Sequence, residues 1–141
     1  WEPYREKQLK RVGDYRTVEG RKLLRKQSPI THVDRICRPL LIFHGGQDPR
    51  VKQSEANQII ESIKRKKIPV TYAVFPNYGH DFFNINIQES LLINAIIEQF
   101  LSKWLGGNYE PIGEELMDSE ITVPVGADEI PGLQEALERK S

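Results

Sequence analysis

The sequence predicts an α/β fold in which parallel strands are covered by helices. Two runs of strand length, "PLLIF" at 39–43 and "VTYAVF" at 70–75, are apolar and rich in β-formers. Between them, "KQSEANQIIESIKRKK" sets Ala56, Ile59, Ile60 and Ile63 on one helical face. Two strands joined through a helix normally lie parallel with a right-handed crossover, so their carboxyl ends open on the same edge of the sheet.

Each element has a local reason. "WEPYREKQLKRVGD" reads as a short amphipathic helix ending at Gly13. Asp14 and Thr17 are candidate N-caps for a second helix, "VEGRKLLRKQ", which stops before Ser28-Pro29. "SPITHVDRICR" is a connector. "PLLIF" is continuously apolar, the pattern of a strand covered on both faces. After the second strand, "QESLLINAIIEQFLSKWL" reads as a long helix ended by Gly106-Gly107. It is apolar on most sides and is expected to be well buried. There is no internal repeat and no low-complexity segment.

The 141 residues suit one domain or part of a larger one, and 38% hydrophobic with 28% charged residues describes a soluble chain able to form a core. A formal net charge of zero gives no electrostatic footprint for nucleic acid. No run is long enough to cross a bilayer. "WEPYREKQLK" lacks the apolar segment and cleavage site of a secretion signal. A single cysteine, Cys37, fits a reducing compartment, so a cytoplasmic location is expected. Charge is divided along the chain: residues 1–105 hold 18 Lys/Arg against 11 Asp/Glu, whereas residues 106–141 hold 2 against 9. Two regions are therefore expected: 1–107 as the folded catalytic-type part, and 108–141 as an acidic C-terminal tail. The tail reads as poor in large apolar residues, so it should be disordered or lie against the basic body.

Each strand is followed by a loop that carries a chemically active side chain. "HGGQDPRV" presents Asp48 and "NYGHDFF" presents His80. Parallel strands would bring these loops out side by side, at the edge where open α/β sheets bind ligands. A carboxylate beside an imidazole fixes the ring's tautomer, stabilises the imidazolium and frees the far nitrogen to take a proton from a nucleophile. The plainer role for Asp48 is to cap its own "QDPRV" turn. His44, at the strand end, reads as structural and satisfied by backbone. His32 reads as a surface or packing residue, and Arg50 as an exposed loop residue. A metal site from His44, Asp48 and His80 is disfavoured because no compact ligand spacing is present. No cofactor is expected.

In α/β-hydrolases the order is Ser, then Asp or Glu, then His, with the serine in a G-x-S-x-G elbow. The last two members stand here in that order. Ser28, Ser54, Ser62, Ser90, Ser102, Ser119 and Ser141 all lack the flanking glycines.

"SPITHVDRICRPLLIFHGGQDPRVKQSEANQIIESIKRKKIPVTYAVFPNYGHDFF" resembles the end of the catalytic domain of the prolyl oligopeptidase family of serine peptidases, in its acylaminoacyl-peptidase and dipeptidyl-peptidase-like branch. "WEPYREKQLKRVGD" and "YEPIG" resemble the same branch, and the likeness weakens after about Gly113. Asp81 departs from the family pattern, where glycine is common, and adds a carboxylate beside the histidine. The resemblance implies the C-terminal portion of an α/β-hydrolase acting on peptide substrates, with Asp48 orienting His80. It also implies that nucleophile, oxyanion hole and a β-propeller precede this segment, so the chain alone should be inactive. The implied partner is that upstream part of the enzyme, or a second copy pairing through an open sheet edge. A non-enzymatic assembly module that keeps a relic pair, or an esterase or thioesterase of the same fold, are the other readings.

Overall fold

The computed structural model describes residues 2–81 and 86–140, in two units, Trp1–Ile36 and Cys37–Ser141. Phe82 and Phe83 of the "NYGHDFF" motif lie outside the described residues.

In the first unit, α1 (Glu2–Val12) stops where Gly13 takes a φ of +119°. The N-cap of α2 (Val18–Gln27) is Thr17, whose hydroxyl accepts the Gly20 N–H at 2.9 Å. The connector is more regular than expected: Pro29–Arg35 winds into a 3₁₀ helix, and a ring nitrogen of His32 bonds the Lys26 carbonyl.

The second unit is built on β1 (Leu40–Gly45) and β2 (Val70–Phe75), which run parallel in the register Phe43↔Ala73. α3 (Gln53–Arg65) makes the crossover and buries Ile60 and Ile63. Strand side chains alternate between faces. Leu41, Phe43, Ala73 and Phe75 join a core with Leu92 and Ile96 of α4 (Ile87–Leu105).

Three expectations need correcting. The sheet has a third strand, β3 (Thr122–Val125), antiparallel to β2, in the order β1-β2-β3. It comes from the acidic segment, which belongs to the same unit as the sheet, so 107/108 is not a structural division. Leu116, Ile121, Ile130 and the Leu133 and Ala136 face of α5 (Leu133–Lys140) are all buried in the shared core. Burying a large aliphatic side chain stabilises by about 1.5–3 kcal/mol, and these few suffice to order a segment whose charges stay outside. Secondly, β1 is only half-buried over Leu40–Phe43, because it is an edge strand of this sheet, whereas central β2 is buried throughout. Thirdly, α4 buries one face only. Leu92, Ile96 and Gln99 turn inward, while Ile87 is 77% and Leu105 79% exposed.

Candidate active site

The two loops are joined by their backbones before any side chain is considered. The Gly46 N–H donates to the Phe75 carbonyl at 2.8 Å, and the Gln47 N–H donates to the Tyr78 carbonyl at 2.9 Å. The contact is close enough to require glycine. A Cβ on Gly45 would stand 2.0 Å from the Gly79 carbonyl oxygen and 2.5 Å from that of Tyr78. "HGG" is therefore a packing requirement of the loop pair. Sequence reasoning assigned no role to these glycines, although a doubled glycine at a strand end marks close backbone approach.

Asp48 serves both roles weighed for it, one with each oxygen. Oδ1 accepts the Arg50 and Val51 N–H groups at 2.8 and 2.9 Å and so closes the turn. Oδ2 lies 2.8 Å from His80 Nδ1. Burial of the Asp48 carboxyl opposes ionisation. It is outweighed by the bonds from Val51 N–H, His80 and Arg50 N–H together with attraction to His80, which bring its pKa down to about 2. Asp48 is thus a carboxylate at neutral pH and can only accept, so the proton on this bond belongs to His80 Nδ1. In the neutral ring Nε2 then carries the lone pair. The Asp48 side chain is 7% exposed and that of His80 38%, so the anchor is sheltered and the imidazole is reachable.

His44 stays out of this chemistry. It is buried, and its Nε2 bonds the Val51 carbonyl at 3.0 Å, closing the aspartate loop from within. Asp81 pairs with Arg50 at 4.0 Å, an exposed link between the two loops. Among the described residues, no three His, Cys, Asp or Glu side chains gather as a metal-binding group. The pair can therefore orient an imidazole, accept a proton at Nε2 and hold the resulting cation.

Parallel strands with a crossover helix, carrying an acid and a histidine at adjacent carboxyl ends, define part of an α/β-hydrolase. The dienelactone hydrolase family profile matches residues 8–96, from within α1 to within α4, and the chain belongs to that family. The similarity to the prolyl oligopeptidase family is also present. The chain is 49% identical over 137 residues to dipeptidyl aminopeptidase BIII of Pseudoxanthomonas mexicana, covering 97% of this chain and 20% of that protein. It is 39% identical over 112 residues to dipeptidyl peptidase family member 6 of Caenorhabditis elegans, covering 79% of this chain and 15% of that protein. It is 24% identical over 71 residues to the human acylamino-acid-releasing enzyme, covering 50% and 10%. The chain thus spans about a fifth or less of the length of these relatives. No solved structure matches it significantly.

Proposed function

We propose that these residues form the acid–base part of a serine-type peptidase site, with His80 as the proton carrier and Asp48 as its orienting partner. The observation that carries the reading is the 2.8 Å bond from His80 Nδ1 to an Asp48 carboxylate already pinned by two backbone N–H groups. Similarity to relatives named as a dipeptidyl aminopeptidase and a dipeptidyl peptidase family member supports a peptide substrate.

No serine of this sequence stands in a G-x-S-x-G elbow, so the nucleophile is supplied by polypeptide outside these residues. As its hydroxyl attacks the peptide carbonyl, His80 Nε2 takes the proton, and the Asp48 carboxylate stabilises the imidazolium through Nδ1–H. The imidazolium then protonates the leaving amine. In the second half, Nε2 takes a proton from water, which attacks the acyl-enzyme, and returns it to the serine. The unpaired side of β1 is the place where the nucleophile-bearing segment joins the sheet.

The test is labelling with a fluorophosphonate probe. The chain alone should remain unlabelled. A hydrolase that contains both these residues and the elbow should label rapidly, and His80→Ala should abolish that labelling. Labelling of a serine within this chain, or undiminished labelling of the His80→Ala enzyme, would contradict the reading.

A further inference from the structure

The histidine loop has a second set of ties, to the acidic segment and to the start of α4. The Asn77 amide donates to Glu120 Oε2. Asn86 divides its amide between two tasks: Oδ1 caps α4 at the Glu89 N–H (2.8 Å), and Nδ2 donates to the Tyr78 hydroxyl (3.1 Å). The Tyr78 ring stands edge-on to Phe75, with centroids 6.1 Å apart. Asn77 and Tyr78 are thus gripped from this direction, while the Tyr78 carbonyl is gripped from the other by the Gln47 N–H, one residue before Asp48.

What aims Glu120 is a buried pair. Ser119 Oγ donates to Glu89 Oε2 at 2.7 Å and accepts the Ile121 N–H at 3.0 Å. Glu89, Ser119 and Ile121 are only 5%, 3% and 4% exposed. A carboxylate this buried is costly to leave without its donor, so the bend keeps its shape. With Ser119 and Ile121 drawn inward, Glu120 between them faces outward, where it meets Asn77. The next residue, Thr122, is already in register with Val74 of β2. The segment is therefore fixed on both sides of Glu120.

We propose that Glu120, aimed by the buried Ser119–Glu89 pair, is a positioning residue for His80 and acts through Asn77. It does not touch the imidazole. It holds the loop that presents the imidazole to Asp48, and the proposal rests on the reading of Asp48 and His80 as the acid–base pair. The acidic segment, which lies beyond the family match, thereby becomes part of the catalytic apparatus.

The experiment reads the tautomer of His80 from its ring ¹⁵N shifts in this chain, alongside peptide hydrolysis by a hydrolase containing these residues. Glu120→Ala should admit a measurable share of the Nε2–H tautomer and lower kcat by about tenfold, with KM little changed. Glu120→Gln, which keeps an oxygen for Asn77, should restore both; the control Glu138→Ala, an acid removed from α5, should change neither. An unchanged His80 tautomer in Glu120→Ala overturns the proposal, as does a Glu120→Gln variant no better than Glu120→Ala, since that outcome makes the effect one of charge. The two readings separate cleanly. If Asp48→Asn leaves hydrolysis intact while Glu120→Ala still disturbs the ring, the catalytic reading fails and the positioning role stands. If Asp48→Asn abolishes hydrolysis and Glu120→Ala does nothing, the reverse holds.

Discussion

The aspartate loop and the histidine loop are joined by backbone bonds and by the Asp48–His80 bond, yet they are built in different ways. The aspartate loop is largely closed by its own bonds: Asp48 Oδ1 to two N–H groups ahead of it, and buried His44 to the Val51 carbonyl. The histidine loop has less of its own. Its Tyr78 N–H reaches back to Phe75, but among the described residues its other ties go to Gln47, Asp48, Arg50, Asn86 and Glu120. Asp48 is thus set largely by its own loop, whereas His80, the proposed proton carrier, is placed by several distant parts of the chain.

Among changes that leave the Asp48 and His80 side chains in place, the largest effect is expected from Gly45→Ala. The new methyl would collide with the Gly79 and Tyr78 carbonyls, so it must force the loops apart. Displacing the reacting groups by about 1 Å lowers kcat by about a hundredfold, and kinetics on a hydrolase containing these residues measure it. His44→Ala attacks the aspartate loop alone. It leaves the Val51 carbonyl without its partner and should destabilise the fold by about 1–3 kcal/mol in urea unfolding. An unchanged unfolding midpoint would show that the loop does not depend on its inner closure.

Acid sharpens the comparison from the other side. The Asp48 carboxyl has a pKa of about 2 in the folded chain, against about 3.9 for an unperturbed aspartate. The unfolded chain therefore takes up this proton first as pH falls. The stability contributed by Asp48 is fully present above about pH 4 and is lost between about pH 4 and pH 2. Unfolding midpoints across that interval should fall more steeply in the wild type than in Asp48→Asn. The smallest effect belongs to Arg50→Ala. Its partner Asp81 is 4.0 Å away and both side chains are more than half exposed, so the change in stability should stay within about 0.5 kcal/mol.

Much of this arrangement is legible in the sequence. "PLLIF" and "VTYAVF" around an amphipathic helix gave the parallel pair, and that topology alone put Asp48 beside His80. The acidic segment packs with the rest of its unit, one of the two outcomes expected, but its strand and helix were missed because its nine carboxylates dominate its composition, while its order is decided by where a few apolar side chains fall. The alternation in "EITVPV" was a weak strand signal, with Pro124 tolerable only because β3 is an edge strand. The outer face of α4 was overestimated, since an apolar residue count does not say which side a core will cover. Contacts such as Gly45 with Gly79, or Ser119 with Glu89, join residues 34 and 30 positions apart and have no local signature.

The central claim is that Asp48 and His80 act as one unit, and a double-mutant cycle on kcat for peptide hydrolysis tests it most directly. The protein to use is a hydrolase containing these residues together with the nucleophile. Asp48→Asn should lower kcat by about 10⁴-fold, because the ring loses the acceptor that fixes its tautomer. His80→Ala should cost at least as much, and the double variant should be no slower than His80→Ala alone, since an orienting group has nothing to orient once the ring is gone. Losses that multiply in the double variant, or an Asp48→Asn enzyme that keeps its turnover, would contradict the account.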